Sequence, residues 1–184
     1  EDPKFKILIM SATFDVDKLA AYFGRDLASP VVLKIPGRYF EVKKRMGESL
    51  LNELFAQIEN PGKNMLVFLP GKSEIRDVME VIEPKATKAG IEIIPLHAQL
   101  EVEEQQRAFG NYSGGKIILS TNIAQTSVTI DDIDLVIDSG LERRSEVRNG
   151  VEGLFMAQIS QADCLQRAGR AGRTRPGEYI LAVY

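Results

Sequence analysis

One cysteine, Cys164, is all that this chain of 184 residues contains. An internal disulfide framework and a multi-cysteine zinc or iron–sulfur site are therefore excluded. One histidine, His97, excludes a His-pair metal centre. Long apolar runs are missing too. The longest uncharged stretch, Ile117 to Ile130, is interrupted by Ser, Thr, Asn and Gln, and it falls short of the ~20 apolar residues of a membrane span. The opening Glu1-Asp2-Pro3-Lys4 is acidic and polar, unlike a secretory leader. The expected setting is a reducing, cytoplasmic one (nuclear in a eukaryote), with no membrane. A large charge imbalance is also lacking: 23 basic residues face 26 acidic ones, for a net −3. That argues against a grip on nucleic acid by bulk charge.

What is present is the make-up of a folded domain. Hydrophobic residues are 44% and charged residues 27%, and a chain this long buries roughly 70% of its unfolded surface without staples. Charge is unevenly placed. Asp138 to Arg175 holds seven Arg against five acids, a local +2, and no Lys. Arg is preferred where a planar, permanently charged fork must meet phosphate.

The chain alternates short β-branched runs with helical patterns. Strands are predicted at Phe5–Met10, Met65–Leu69, Ile91–Pro95, Lys116–Leu119, Leu135–Ile137 and Tyr179–Val183. Helices are predicted at Asp15–Phe23, Glu48–Glu59, Lys72–Lys88, Glu101–Phe109 and Asp163–Ala168. Pro30 to Arg45 reads as extended, broken at Pro36-Gly37, and Leu141 to Met156 as a hairpin about Asn149-Gly150. Near-continuous apolar strands alternating with helices predict an α/β fold with a largely parallel sheet. In such folds ligands gather at the carboxyl ends of the strands. The final strand reaches the last residues, so a piece of a longer protein is expected.

The sharpest pattern is Gln166-Arg167-Ala168-Gly169-Arg170-Ala171-Gly172-Arg173. Three Arg recur every third residue, with Gly before the second and third. Small residues between long cations allow close approach, and forked cations can then converge on charge developing at a transferring phosphoryl group. A solvated basic helix end is the plain alternative, but each Gly would cost such a helix roughly 1 kcal/mol.

This octet resembles motif VI of superfamily 2 helicases, in the DEAH-box group. Other motifs follow in order. Ser11-Ala12-Thr13 resembles motif III, Leu66-Val67-Phe68-Leu69-Pro70-Gly71 motif IV, and Ser120 to Ile130 motif V, with Asp138-Ser139-Gly140 where the family has Asp-x-Gly. Gln125 replaces the usual motif V Glu, and Pro70 a hydroxyl residue. The resemblance implies a RecA-like three-layer sandwich with a β-hairpin. It divides the chain into a remnant of a first RecA-like domain (1–29, with motif III), a linker and entry strand (30–47) and a second RecA-like domain (48–184).

It also implies roles. Arg170 and Arg173 are expected as arginine fingers and Gln166 as the residue that positions the attacking water, with Arg167 structural and paired to an acid. Phe109 is expected to stack on the base, or else to be core. Thr129, Asp131 and Gly140 are expected near the nucleotide. Thr121 and Asn122 are expected on the nucleic-acid backbone. Arg143 and Arg144, beside the hairpin, either join them or are solvated. Ser11, Ala12 and Thr13 are expected to couple hydrolysis to movement. Asp131, Asp132 and Asp134 read as an Asp-rich turn before a metal cluster, and His97 as a packed loop residue before a catalyst.

Gly71-Lys72-Ser73 imitates the end of a P-loop, but the Gly required five positions before Gly71 is Leu66, inside a strand. No Asp-Glu-x-His occurs. The expected function is thus half of an ATP site in a helicase acting on single-stranded nucleic acid, RNA in preference to DNA. The first RecA-like domain would bring the phosphate loop and Mg²⁺, and this chain alone would not hydrolyse ATP. The alternatives are a non-catalytic nucleic-acid-binding module and a DNA-directed helicase.

Overall fold

The computed structural model describes residues 8–10, 16–23, 31–33, 40–148, 150–182 and 184. Ser11, Ala12 and Thr13 lie outside the described residues, as do Pro36-Gly37 and Asn149. The chain divides into two compact units, Glu1–Gly37 and Arg38–Tyr184. In the first, helix α1 spans Val16–Phe23. Leu8, Ile9 and Met10 are exposed and lie in no strand, and the rest of the strand predicted at Phe5–Met10 lies outside the described residues.

The second unit is built on six parallel strands. They are β1 (Val42–Gly47), β2 (Met65–Phe68), β3 (Glu92–Leu96), β4 (Lys116–Ser120), β5 (Leu135–Asp138) and β8 (Gly177–Ala182), in the order β1-β8-β5-β2-β4-β3. Met65 stands opposite both Ile117 and Leu135. Alternate residues serve opposite faces, as the two-residue repeat of a strand requires. Met65 and Val67 join a core covered by α2 (Leu50–Ile58) and α3 (Lys72–Lys88). Leu66 and Phe68 join a second core with Ala108, Ala124, Ala168 and Ala171. That face carries α4 (Val102–Gln106), the 3₁₀ turn Arg107–Phe109, α5 (Ile123–Thr126) and α6 (Gln161–Ala168). Helices therefore cover both faces, the expected three layers. Strands β6 (Leu141–Arg148) and β7 (Val151–Gln158) form a separate antiparallel hairpin, with Gly150 at φ +79° in its turn. Among the described residues no helix is long and apolar enough to cross a membrane.

The spacing of the arginine-rich octet predicts close approach at both of its glycines. Gly172 makes one, but its neighbour is this chain's own backbone. A Cβ at Gly172 would meet the Phe40 carbonyl at 2.7 Å and a Val42 methyl at 2.6 Å, and Phe40 N donates to the Gly172 carbonyl at 3.0 Å. Gly169 has ordinary helical geometry, φ −63°, and room beside it. Gly172→Ala is therefore expected to lower stability by about 1–3 kcal/mol by overpacking, and Gly169→Ala to leave it nearly unchanged. Urea unfolding of the two variants side by side checks this.

Candidate functional site

The parallel strands place the motif residues on two edges of the sheet and on one helix that runs between them. At the carboxyl edge, β4 leads into Thr121 and Asn122. Thr121 is half-buried, its N–H donating to the Leu96 carbonyl at 3.2 Å, and Asn122 is exposed. Strand β5 ends in Asp138 and turns at Gly140, φ +71°, into the hairpin. Gly140 thus lies at the opposite end of β5 from Asp131 and does not join it.

Arg143 and Arg144 leave this edge on β6, and each has a carboxylate of its own. Arg143 donates to Glu74 at 2.7 Å, and Arg144 bonds Glu142. Arg143 lies over Gly71, where a Cβ would meet its Nε at 2.7 Å. The Arg143 partner holds the Glu74 carboxyl below its usual range against the opposing effect of burial, the largest influence on it. The segment between β2 and α3 is only Leu69–Gly71, too short for a phosphate cradle, and Arg143 and Glu74 occupy its end. His97, just past β3, is buried, and its Nδ1 has no hydrogen-bond partner among the described residues. Burial first, then the charge of Lys72, pulls its pKa down.

The amino edge holds a different set. Phe109 ends the 3₁₀ turn and is 50% exposed, so it is not core. Asp131 is exposed. Its carbonyl accepts from Thr174 Oγ1 at 2.8 Å, and its carboxylate stands 3.7 Å from Arg173 Nη1. Its neighbours are committed to structure. Asp134 accepts from the Asn64 N–H at 2.8 Å and pairs with Arg175 at 2.5 Å. Asp132 accepts from Asn64 Nδ2 at 2.9 Å and pairs with Lys116 at 2.9 Å. Among the described residues no group of three or more His, Cys, Asp or Glu could hold a metal ion, so these residues do not fit a Mg²⁺ site. Thr129 is exposed on the segment leading to Asp131.

Helix α6 connects the two edges. Ser160 caps it, accepting from Asp163 N at 3.1 Å while the Asp163 carboxylate accepts from Ser160 N at 3.2 Å, a reciprocal capping box. Arg167 then enters the core, 1% exposed. Its Nη1 donates to Asp138 at 2.8 Å, its Nε to Gln125 Oε1 at 2.9 Å, and its guanidinium sits 4.7 Å over the Phe68 ring. Asp138, fully buried, also accepts from Gly140 N and the Tyr179 hydroxyl, each at 2.9 Å. Burial, reinforced by Asp138, pushes the Tyr179 pKa far up. Arg167 is therefore a structural residue paired to an acid, as the sequence suggested.

Gln125 is the hinge of the next layer. Arg167 can only donate, so it fixes the Gln125 amide with oxygen toward it. The Gln125 Nε2 then donates to Asp163 at 2.6 Å and to Gln166 Oε1 at 3.1 Å. With Asp163 already a carboxylate, an amide rather than the family's usual Glu satisfies every partner. Gln125→Glu would remove both donated bonds and set two carboxylates face to face. The expected cost is about 1–3 kcal/mol at neutral pH. Two crowded carboxylates raise a carboxyl pKa in the folded state, so the deficit is full above that raised value and shrinks as pH falls through it. Denaturation of wild type and variant at pH 7 and pH 5 checks both the size and the direction.

The two finger candidates differ. Arg170 is 6% exposed and donates to the carbonyls of Gln125 and, at 3.3 Å, Val128. Burial first, then the charge of Arg173, lowers its pKa. Arg173 is one-third exposed, and its buried Nε has no hydrogen-bond partner among the described residues. Motif VI is thus hydrogen-bonded to motif V at residues 125 and 128, and Arg173 stands beside Asp131 just past it.

Sequence reasoning missed three features here. α5 is too short to show a helical period. Glu74 as the partner of Arg143 has no local signal. Lys116 did have one, as a charged residue opening the apolar run Ile117-Ile118-Leu119.

Comparison with known proteins gives the family. Residues 47–175 match the helicase conserved C-terminal domain. A Schizosaccharomyces pombe protein, provisionally named a pre-mRNA-splicing factor ATP-dependent RNA helicase, is 35% identical over 98% of this chain and 30% of its own. Crystal structures of the Escherichia coli DExH-box NTPase HrpB, also described as a DEAH/RHA helicase, superpose with TM-score 0.83 at 33% identity, over 97% of this chain and 23–24% of theirs. The chain therefore spans about a third or less of the length of these relatives. It belongs to the helicase C-terminal domain family and is the second RecA-like domain of the DEAH-box type.

Proposed function

We propose that this chain supplies the arginine-bearing half of an ATP site that lies between two RecA-like domains of an RNA helicase. The observation that carries the reading is the position of Arg173. Its forked cation, with one buried nitrogen unpartnered among the described residues, stands beside Asp131 on the edge that also bears Phe109. An anion reaching that edge meets Arg173 first. Arg170 reaches it by exchanging the carbonyls of Gln125 and Val128 for phosphate oxygens. That exchange frees motif V, which gives hydrolysis a route to the nucleic-acid backbone held by Thr121 and Asn122. Gln166 orients water from its bond to Gln125. Phe109 stacks on the base, and Asp131 with Thr129 faces the ribose. Gly140, on the carboxyl edge, belongs with the hairpin and the strand-binding side. Arg143 and Arg144 reach phosphates only by leaving Glu74 and Glu142.

Further parts of the reading come from the resemblance and the relatives. Ser11, Ala12 and Thr13 would couple the domains, with residues 1–29 completing the first RecA-like domain and 48–184 forming the second. The phosphate loop and Mg²⁺ would come from that first domain. Single-stranded RNA is the proposed partner, since the fission-yeast relative is named an RNA helicase.

The test is ATP hydrolysis by the longer protein that carries both domains, with single-stranded RNA and then DNA of equal length. Stimulation by RNA well above that by DNA is expected. Equal stimulation would make the polymer preference wrong. Binding of either polymer without any hydrolysis would favour the non-catalytic module.

A further inference from the structure

Lys116 is 1% exposed, and lysine is almost never so deeply buried without partners. Its Nζ has three protons and three acceptors. They are the Ala108 carbonyl at 2.8 Å, the Gly110 carbonyl at 2.9 Å and the Asp132 carboxylate at 2.9 Å. Ala108 and Gly110 are the residues on either side of Phe109, and Asp132 follows Asp131. One ammonium therefore ties the turn that presents the half-exposed Phe109 ring to the turn that presents the exposed Asp131 carboxylate. The remaining β4 side chains before Ser120 are buried Ile117, Ile118 and Leu119, so packing alone calls for an apolar residue at 116. Carbonyls at the end of a short 3₁₀ turn lack partners of their own, and a cation there satisfies two of them at once.

We propose that Lys116 is a positioning residue for nucleotide recognition, setting the separation of Phe109 and Asp131 so that one nucleoside meets both. This rests on the reading of Phe109 and Asp131 as base and ribose contacts, and the experiment separates the two claims.

Steady-state ATP hydrolysis by the longer two-domain protein is measured for wild type, Phe109→Ala, Lys116→Met, Asp132→Ala and the double variant Phe109→Ala/Lys116→Met. Lys116→Met is expected to raise KM for ATP about fivefold or more, with kcat at saturating ATP within about twofold. A coupling of that size is usual for residues that act as a unit. The double variant should have a KM no higher than Phe109→Ala alone, because Lys116 acts through that ring. Asp132→Ala cuts the tie from its more exposed end and should raise KM less. It carries the test if Lys116→Met does not fold. A lower unfolding midpoint with KM unchanged in Lys116→Met and Asp132→Ala, while Phe109→Ala raises it, would make the lysine merely structural and overturn the proposal. An unchanged KM in Phe109→Ala would instead bring down the base-contact reading, and the role of Lys116 with it.

Discussion

In the two-domain protein, Arg170→Ala and Arg173→Ala are each expected to reduce nucleic-acid-stimulated ATP hydrolysis by about 10³–10⁵-fold, the measured range for arginine fingers. The two variants should differ in a second respect. Arg173 is one-third exposed, and its described contact, Asp131, is 3.7 Å away, so its loss should leave the unfolding midpoint almost unmoved. Arg170 is buried on the carbonyls of Gln125 and Val128. Its removal strands two acceptors in the core, at about 1–3 kcal/mol, and loosens motif V. Arg170→Ala should therefore lose stability as well as turnover, and weaken binding of the single strand. Turnover assays beside urea unfolding separate the two residues. Wild-type rates in both variants would remove the finger assignment.

The second large effect concerns the pin beneath the fingers. Asp138→Ala is expected to destabilise the chain by about 3–5 kcal/mol, the usual result of breaking one side of a buried ion pair. The carboxylate holds Arg167 at 2.8 Å, the Tyr179 hydroxyl at 2.9 Å and the Gly140 N–H at 2.9 Å. The Tyr179 hydroxyl and the Gly140 N–H would lose this acceptor, and Arg167 would lose its only carboxylate among the described residues, keeping the Gln125 Oε1 at 2.9 Å and the Leu141 carbonyl at 3.4 Å. The Arg167 cation is the costliest of them, because it is 1% exposed and cannot reach water. Tyr179→Phe removes one neutral-donor bond and should cost only about 1 kcal/mol. A chemical-denaturation series on both variants gives the ranking. Equal small losses would mean that the network is hydrated and not the anchor of α6.

Much of this was readable from residue order. β2 and β5 are four-residue buried strands bounded by turn residues, and apolar continuity marks them without ambiguity. The Asn149-Gly150 pair placed the hairpin. The octet marked motif VI, and its first Arg was assigned correctly to an internal acid. Other features depend on what the fold brings together. Leu8 to Met10 have strand composition, but pairing is a tertiary property, and they lie in no strand. Thr121, Asn122 and Gly140, named from the motif resemblance, lie on the carboxyl edge to which the general rule for α/β folds points, although Gly140 was expected near the nucleotide. Phe109, Asp131 and Arg173 lie on the amino edge, because motifs V and VI run back across the sheet before β5 and β8 begin. Gln125 looked like a loss of charge in the sequence. Only its distance of 2.6 Å to Asp163 shows why an amide is the better residue there. Lys116 is legible only as an oddity, and its three acceptors come from positions 108, 110 and 132.

On the proposed function, this chain holds half of a nucleotide site and needs the other half for chemistry. The most direct test compares ATP turnover, with Mg²⁺ and single-stranded RNA present, by residues 1–184 alone and by the longer protein that carries both domains. Clear RNA-dependent hydrolysis by the longer protein is expected, and none above background by the chain alone. Turnover by the pure chain, at a rate that follows its concentration, would contradict it.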